Sequence, residues 1–392
     1  MIMGPTAATI TTDPTDLTSI QMTSTTSEPD RLPVSILTGF LGSGKTTLLS
    51  KLMHHPEMDR IAVIVNEFGE VGLDDALVME SNEDVVLLNS GCLCCTVRGD
   101  LVDTLKRLFK DRAKGNIPDF DRIVVETTGL ADPAPILHTM MADPFLVTRF
   151  RLDGVITVVD AHHAMEQFNK QFESIKQAAV ADRIVLTKTD VTDAESVSAV
   201  EKRLYELNPA APVIKAIQGD VAPSVLFDAG LYNPKTKSTD VGQWLREEAY
   251  RATEGHVHHH DHGHERTHDD DHDHNHDHGH HHDVSRHDDH IHSFVLYFDE
   301  PLEWNRIAGA LDMMAQTHGA NILRIKGLLN LKELDDDQPV VVHAVQHMFH
   351  PPAKIEKWPN EDRRSRLVFI VRDLEKKTME SVLNSYLALE FA

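Results

Sequence analysis

The most constraining feature of the sequence is the stretch 39–46, Gly-Phe-Leu-Gly-Ser-Gly-Lys-Thr, which matches the phosphate-loop pattern G-x-x-x-x-G-K-T. It follows an apolar run at 34–38 and precedes a helical pattern from Thr47. Such loops lie between a strand and a helix, because their backbone N–H groups and the helix N-terminus together bind phosphates. The sequence therefore predicts a nucleoside triphosphate site in an α/β sheet. A glycine-rich turn that matches by chance is the alternative.

The residue types within this loop predict individual contacts. Lys45 is expected to reach the β- and γ-phosphates, and the Thr46 hydroxyl is expected to ligate Mg²⁺. Both are candidate catalytic residues. The other predicted nucleotide-contacting residues of this stretch are Gly39, Gly42, Ser43, Gly44 and Thr47.

Composition excludes several classes of partner. The 392 residues carry a formal net charge of -24, whereas nucleic acids and anionic membranes require a basic face. Residues 1–30 contain no Lys or Arg, so they lack the basic start of a signal peptide. No apolar run is long enough to cross a bilayer. We therefore expect a soluble, cytoplasmic protein with neither nucleic acid nor membrane as partner.

The chain divides into segments of distinct patterning. Short apolar runs alternate with helical patterns in the first half, which is typical of βαβ units around a mainly parallel sheet. A shorter second region has the order β-α-β-β-β-α, which predicts an α+β sandwich. The predicted segments are a disordered tail at 1–30, an α/β domain at 31–222, a connector at 223–255, a His-rich disordered segment at 256–292 and an α+β domain at 293–392.

The predicted elements follow from these patterns. In the first domain the strands are 34–38, 61–66, 85–89, 122–126, 154–160, 183–187 and 212–217. In the second domain the strands are 294–298, 322–331, 340–349 and 366–372, with helices from 301 onward and at 375–389.

Two further motifs complete the nucleotide site. The apolar strand 122–126 ends in E-x-x-G, so Glu126 is expected to hold Mg²⁺ or its water, and Gly129 to sense the γ-phosphate. Thr187-Lys188-Thr189-Asp190 is similar to the base-reading motif N-K-x-D. Asp190 can accept two hydrogen bonds from guanine but not from adenine, which favours GTP over ATP. Lys188 is expected to pack its stem along the base.

The three cysteines of the chain, Cys92, Cys94 and Cys95, lie within four residues, at a predicted junction of strand and loop. So tight and odd a set does not suit a disulfide framework and indicates a reducing compartment. Thiolates bind soft cations, and Zn²⁺ is usually four-coordinate. Three thiolates would leave one position open, which suits an ion that must be released. Three small buried apolar side chains are the alternative interpretation.

An acidic stretch lies where a first switch loop is expected, between the second strand and the cysteines. Its carboxylates are Glu67, Glu70, Asp74 and Asp75. Each is a candidate to complete the metal site or to position water at the γ-phosphate, with Glu70 as a metal ligand and Asp74 as a catalytic residue. Simple solvation is the alternative for each of them.

Together these motifs resemble the CobW-type family of P-loop GTPases, a metallochaperone group with a YjiA branch. The likeness rests on G-F-L-G-S-G-K-T-T, N-E-F-G-E-V-G, G-C-L-C-C, E-T-T-G-L-A-D-P, L-T-K-T-D and R-I-K-G-L. It runs from about Leu32 to the C-terminus, apart from the His-rich segment. The resemblance implies a P-loop GTPase domain followed by a CobW-type C-terminal domain.

The resemblance also implies roles for single residues. Lys45 and Thr46 would bind phosphate and Mg²⁺, Glu126 would serve the Mg²⁺ region, and Asp190 would read guanine. Zn²⁺ or Co²⁺ would be held by the cysteines and passed to a client metalloprotein. Some members of the YjiA branch use a glutamate immediately before Asn-Glu-Phe-Gly as a metal ligand, whereas Val65 stands here.

The segment 256–292 alternates aspartate with histidine and holds most of the chain's histidines. Imidazoles and carboxylates bind Zn²⁺, Ni²⁺ or Co²⁺, so this segment is expected to store metal with modest affinity. A solvating linker is the alternative.

Three functions follow from these observations. The leading hypothesis is a GTP-driven metallochaperone, and the second is a metal-buffering protein with a regulatory GTPase domain. The third, a small-molecule kinase, is disfavoured by Asp190. The sequence leaves the oligomeric state open, with a homodimer among the expected assemblies.

Overall fold

A computed structural model describes residues 31–58, 60–66, 85–87, 93–96, 101–227, 291–334, 338–350, 352–355 and 357–388. For residues 66, 85–87 and 93–96 it describes the backbone only. The predicted N-terminal tail, most of the connector and nearly all of the His-rich segment lie outside the described residues. So do Glu70, Asp74 and Cys92.

The first domain is built on a mainly parallel sheet, as predicted. Its strand order is β3-β4-β2-β5-β1-β6-β7-β8. Every neighbouring pair is parallel except β3 and β4. The strands are β1 (Leu32–Thr38), β2 (Ile61–Asn66), β3 (Val85–Leu87), β4 (Leu93–Thr96), β5 (Arg122–Thr127), β6 (Phe150–Asp160), β7 (Arg183–Thr187) and β8 (Val213–Ala216).

Helices cover both faces of this sheet, which explains why its central strands are apolar at nearly every position. In β5, for example, Val125 packs in a cluster with Leu105, whereas Val124 packs on the opposite side with Leu48. The helices are α1 (Lys45–Met53), α2 (Leu101–Lys114), α3 (Ala134–Ala142), α4 (Pro144–Arg149), α5 (Ala164–Lys170), α6 (Phe172–Ala179), α7 (Ala194–Leu207) and α8 (Pro223–Leu226).

The second domain is the predicted α+β unit. Its sheet has the order β12-β11-β10-β14-β9, with β13 paired to β11, and every pair is antiparallel. One face of this sheet packs against two helices. The elements are β9 (Ile291–Phe298), α9 (Trp304–His318), β10 (Ile322–Leu329), β11 (Val340–Val345), β12 (Met348–Phe349), β13 (Ala353–Lys354), β14 (Ser365–Arg372) and α10 (Lys376–Leu387).

Some predicted boundaries are wrong. The strand predicted at 340–349 is broken at Gln346, whose φ of 55° turns the chain into a hairpin. Strand β9 begins at Ile291, where it pairs with Arg372, two residues before the predicted start of the last domain. Leu226 and Phe227, in the predicted connector, pack in a core cluster of the first domain. Among the described residues, no helix is long and apolar enough to cross a membrane.

The two domains are joined by a buried ion cluster. Asp182, between α6 and β7, accepts hydrogen bonds from Arg324 and from the backbone N–H of Val155, 3.0 Å away. Lys326 Nζ lies 3.2 Å from the same carboxylate. Burial alone would raise the pKa of Asp182, but the two cations outweigh it and lower that pKa. If the domains moved apart, a buried charge would lose its partner, which is costly. The cluster therefore fixes the relative orientation of the two domains.

Two histidines lie beside this cluster. The rings of His343 and His350 stack with centroids 4.5 Å apart, and both side chains are buried. Burial and the neighbouring Arg324 lower the pKa of His350 to about 3, despite the opposing effect of Asp182. Burial, His350, Arg324 and Lys326 hold the pKa of His343 well below its usual range. Both imidazoles are therefore neutral at physiological pH.

These histidines predict acid lability. The unfolded chain takes up a proton on His350 near pH 6.5, but the folded chain does so only near pH 3. Within that window the folded state binds fewer protons, so the free energy of unfolding falls as the pH falls. One such proton contributes about 1.4 kcal/mol per pH unit. In urea titrations followed by tryptophan fluorescence, His350→Asn should reduce this slope by about one proton. An unchanged slope would contradict the assignment.

Candidate functional site

The candidate site lies at one edge of the first sheet. The carboxyl ends of parallel strands meet at the same edge, and ligands of open α/β sheets bind there. Strand β1 lies between β5 and β6, with Leu37 beside Glu126 and Thr38 beside Thr157. The loops that follow β1, β5, β6, β7 and β8 therefore converge on one face.

The phosphate loop has the backbone that its glycines allow. Gly39, Gly42 and Gly44 have φ values of 142°, 72° and 97°. At Gly39 a Cβ would lie 2.3 Å from the carbonyl oxygen of Val158, so no other residue fits. The hydroxyl of Ser43 is buried and has no hydrogen-bond partner among the described residues. A loop of this shape, with a polar atom left unsatisfied, fits a bound phosphate group.

The lysine that is predicted to contact the phosphates points its ammonium group into the loop. Lys45 Nζ donates to the carbonyl oxygens of Gly39 at 2.7 Å and Phe40 at 3.2 Å. The Thr46 hydroxyl lies 3.4 Å from Glu126 Oε1, and Glu126 is buried. The structure thus brings together the ammonium group, the hydroxyl and the carboxylate that the sequence assigns to phosphate and Mg²⁺. The oxygen atoms of Thr46 and Glu126 suit Mg²⁺, which is usually bound by only one or two protein groups.

The loop after β5 packs tightly against the phosphate loop. A Cβ on Gly129 would lie 2.7 Å from the backbone nitrogen of Leu41, so this close approach requires glycine. Gln177 of α6 is fully buried, and its amide donates to the carbonyl oxygens of Gly129 at 3.2 Å and Ala131 at 2.9 Å. Helix α6 therefore holds the loop in which a γ-phosphate sensor is predicted.

The base-reading motif is tied directly to the phosphate loop. The Thr187 hydroxyl donates to the carbonyl oxygen of Ser43 at 2.7 Å, and it also lies 3.2 Å from the carbonyl oxygen of Val159. Thr187 stands where the motif N-K-x-D has asparagine. The Thr187 hydroxyl therefore links the base-reading loop to the phosphate loop.

An unpredicted carboxylate anchors the next residue of this motif. Asp160, buried at the end of β6, accepts from Lys188 Nζ and His163 Nδ1, both at 2.7 Å. Burial alone would raise the pKa of Asp160, but these hydrogen bonds outweigh it and lower that pKa. Lys188 itself has a left-handed φ of 57°. Asp190, which is predicted to read guanine, is exposed at this face.

The loop after β8 closes the same face. Gly219 has a φ of 76°, and a Cβ there would lie 3.0 Å from the backbone of Leu48 in α1. Ile217 precedes it and is 54% exposed. An exposed apolar side chain beside the base-reading loop is suited to contact a flat base.

The predicted metal residues are only partly described. Cys94 and Cys95 lie within β4, paired with Val63 and Ile64 of β2, and not at the predicted junction of strand and loop. Cys92, Glu70 and Asp74 lie outside the described residues. Val65 is buried in an apolar cluster and offers no ligand. In the described part of the chain, no group of three His, Cys, Asp or Glu residues is placed to hold a metal ion.

The distance between the two predicted sites differs from expectation. The sequence suggests a metal site one strand from the phosphate loop, but β2 and β5 both intervene between β4 and β1. With about 4.8 Å between neighbouring strands, β4 is about 14 Å from β1. Two strands therefore separate the backbone of Cys94 and Cys95 from the strand that leads into the phosphate loop.

Asp160 and Gly219 contribute to this face although the sequence does not assign them to it, and the sequence predicts no contact of Thr187 with the phosphate loop. Each follows or ends an apolar strand, which is the one signal that marks them. Their partners Ser43, Lys188 and Leu48 come from other strand-loop units, so the contacts depend on strand order.

Family models match most of the chain. Residues 33–215 match the model described as CobW/HypB/UreG, nucleotide-binding domain. Residues 291–387 match the model described as cobalamin synthesis protein cobW C-terminal domain. The two matches correspond to the two sheets.

The similarity to known proteins covers most of this chain. The chain is 33% identical over 341 residues to the zinc chaperone YjiA of Escherichia coli (strain K12), covering 86% of this chain and 93% of YjiA. It is 32% identical to the zinc chaperone CobW of Pseudomonas aeruginosa, covering 91% and 92%. A crystal structure of Zn(II)-bound YjiA GTPase from E. coli superposes with a TM-score of 0.66 at 31% identity, covering 91% of this chain and 99% of that one.

The hydroxyl of Thr187 provides a test of this geometry. Thr187→Val keeps the shape but leaves the Ser43 carbonyl without this donor, at a cost of about 1–3 kcal/mol. We expect roughly 5- to 100-fold weaker binding of a fluorescent guanine nucleotide in equilibrium titrations, whereas Thr187→Ser should bind nearly as the parent does. Equal affinity for the Val variant would show that the bond does not shape the site.

Proposed function

Since the chain belongs to the CobW family of P-loop GTPases, we propose that it is a zinc chaperone in which GTP controls a cysteine site and the ion passes to a client metalloprotein. The observation that carries the proposal is the joining of the phosphate loop, Glu126 and the T-K-T-D loop at one edge of the sheet that also contains Cys94 and Cys95. The likeness to zinc chaperones over most of the chain supports it.

The phosphate end supplies the groups that GTP hydrolysis needs. Lys45 is held by carbonyl oxygens of its own loop and can turn its ammonium group to the β- and γ-phosphates. Positive charge at this point stabilises the negative charge that develops on the transferred phosphoryl group. Bound Mg²⁺ would neutralise part of the phosphate charge. Thr46 and Glu126 would hold it or its water.

The base end explains a preference for guanine. Asp190 is exposed and accepts hydrogen bonds only, so it suits the adjacent N–H groups of guanine. Lys188 is fixed by Asp160, which leaves its stem to pack along the base. Because Thr187 ties this loop to Ser43, the base and the phosphates would be held in one fixed relation.

The metal end rests on Cys92, Cys94 and Cys95. Three thiolates bind Zn²⁺ well, and the same set accepts Co²⁺. Glu70, from the acidic stretch, is the proposed further ligand, and Asp74 is the proposed residue that positions the attacking water. The stretch from Glu67 to Asp75 is part of the connection 67–84 between β2, which ends at the nucleotide edge, and β3, which pairs with the cysteine strand. An ordering of that stretch by the γ-phosphate would carry the signal across about 14 Å.

Zinc transfer requires that the affinity of the cysteine site change with the nucleotide. Coupling between two sites is commonly worth 5- to 150-fold in affinity. The C-terminal domain is locked to the GTPase domain by the Asp182 cluster, so a client bound to it would stay close to the nucleotide-dependent part.

The test measures zinc affinity by chelator competition with GDP and with a slowly hydrolysed GTP analogue. In the parent chain one tight site should change at least about 5-fold between the two nucleotides. The variant with Cys92→Ser, Cys94→Ser and Cys95→Ser should lose that site, and Thr96→Ser in the same strand should keep it. Unchanged nucleotide-dependent affinity in the triple variant would refute the role of the cysteines.

Removal of residues 256–289 separates this function from metal buffering. This deletion spares β9, which begins at Ile291. Retention of one cysteine-dependent, GTP-sensitive site supports the chaperone. Loss of nearly all tight binding would instead make the His-rich segment the main metal site. The comparison matters because a YjiA triple mutant, with one glutamate and two cysteines replaced by alanine, is also described as Zn(II)-bound.

A further inference from the structure

A second feature of the domain interface lies close to the nucleotide site. The hairpin between β11 and β12 contacts α3, which begins just after the Gly129 loop. Gln346 Nε2 lies 3.4 Å from Asp132 Oδ2, and His138 Nε2 lies 3.2 Å from the carbonyl oxygen of Val345. The tip of the C-terminal domain is thus placed against the segment that follows the predicted γ-phosphate sensor.

Two histidines from different domains meet at this contact. The rings of His138 in α3 and His347 in the hairpin have centroids 4.6 Å apart and an interplanar angle of 70°. Two imidazoles on one tetrahedral Zn²⁺, with Zn–N distances of about 2.0–2.1 Å, stand roughly 5 Å apart. The centroid separation of this T-shaped pair is close to what a shared ion needs. His347 is exposed to solvent, so its ring can rotate to direct a nitrogen lone pair at the same ion.

The hydrogen bond of His138 prepares it as a ligand. A carbonyl oxygen only accepts, so His138 Nε2 carries the proton in its bond to Val345 and Nδ1 keeps its lone pair. Metal-binding histidines commonly donate their second ring nitrogen to a backbone carbonyl or a carboxylate in this way. His347 packs closely against the backbone of Gly319. A Cβ added at Gly319 would lie only 2.8 Å from the Cβ of His347.

One carboxylate lies near the pair of rings. Asp132 is close enough to interact electrostatically with His138, and it also accepts from Lys176 at 2.8 Å. The other histidine pair of the interface, His343 and His350, differs in both respects. Its rings are stacked face to face at 9°, and it lies beside Arg324.

We propose that His138 and His347 bind one Zn²⁺ ion between the two domains, at a site distinct from the cysteine loop, with solvent completing the coordination. Two protein ligands leave open positions, so the ion exchanges readily. Bound zinc holds the hairpin on α3 and thereby joins the C-terminal domain to the loop that contains Gly129. This inference concerns zinc binding alone and stands whether or not the cysteines act as proposed.

Histidine modification by diethyl pyrocarbonate tests the proposal on the full chain. Trypsin releases His138 in the peptide 123–149, which contains no other histidine. It releases His347 in the peptide 333–354, where fragmentation in the mass spectrometer distinguishes it from His343 and His350. Zinc, added as a simple salt, should slow modification of both residues. Half-maximal protection should occur at the same zinc concentration for the two. Mg²⁺ should protect neither.

The variants decide whether the two residues share one ion. With His347→Ala, the zinc concentration that protects His138 should rise at least about 10-fold, and His138→Ala should act likewise on His347. His54→Ala, at an exposed position, is the matched control and should change neither midpoint. The same protection should persist when the three cysteines are replaced by serine. Protection of neither residue, protection of one independently of the other, or loss of protection in the serine variant would overturn the proposal.

Discussion

The parallel pairing of β1 with β5 on one side and β6 on the other is the constraint on which the nucleotide site depends. It brings the phosphate loop, Glu126 and Asp160 to one edge, although they are far apart in sequence. Two close contacts then set the fine geometry. Gly129 lies against Leu41, where any side chain would collide, and the Thr187 hydroxyl holds the Ser43 carbonyl. The regions proposed to bind the phosphates, Mg²⁺ and the base therefore lie together at one edge of the sheet.

The second domain packs on the first through apolar contacts, such as those of Leu323 and Ile370, and through polar contacts that are buried or half-buried. Replacing either partner of a buried ion pair is costly, whereas the intact pair adds little net stability, so the Asp182 cluster is best understood as fixing orientation. With that orientation set, the hairpin at Gln346 reaches Asp132, two residues before α3. A movement of the Gly129 loop would thus alter the contact between Asp132 and the hairpin of the C-terminal domain. This gives the family's two-domain arrangement a physical route for coupling.

Much of the site could be predicted from sequence, because its motifs are local. The phosphate loop, the E-x-x-G turn and the T-K-T-D loop each follow an apolar strand, and that rule located Lys45, Glu126 and Asp190. Contacts between distant segments could not be predicted. Asp182 meets Arg324 across 142 positions, and His138 bonds to Val345 across 207. The spacing between the cysteines and the phosphate loop could not be predicted for a related reason, since only strand order shows that β2 and β5 separate β4 from the phosphate loop. The assignments of Cys92, Glu70 and Asp74 stay predictions.

GTP hydrolysis at the phosphate loop is proposed to control the release of zinc from the cysteines. A single-turnover experiment on the zinc-loaded chain can test this, with phosphate release and zinc capture by a fluorescent chelator recorded together. We expect zinc to leave at the rate of hydrolysis with GTP and to stay bound with a slowly hydrolysed analogue. Zinc release at the same rate with GTP and with the analogue would contradict it.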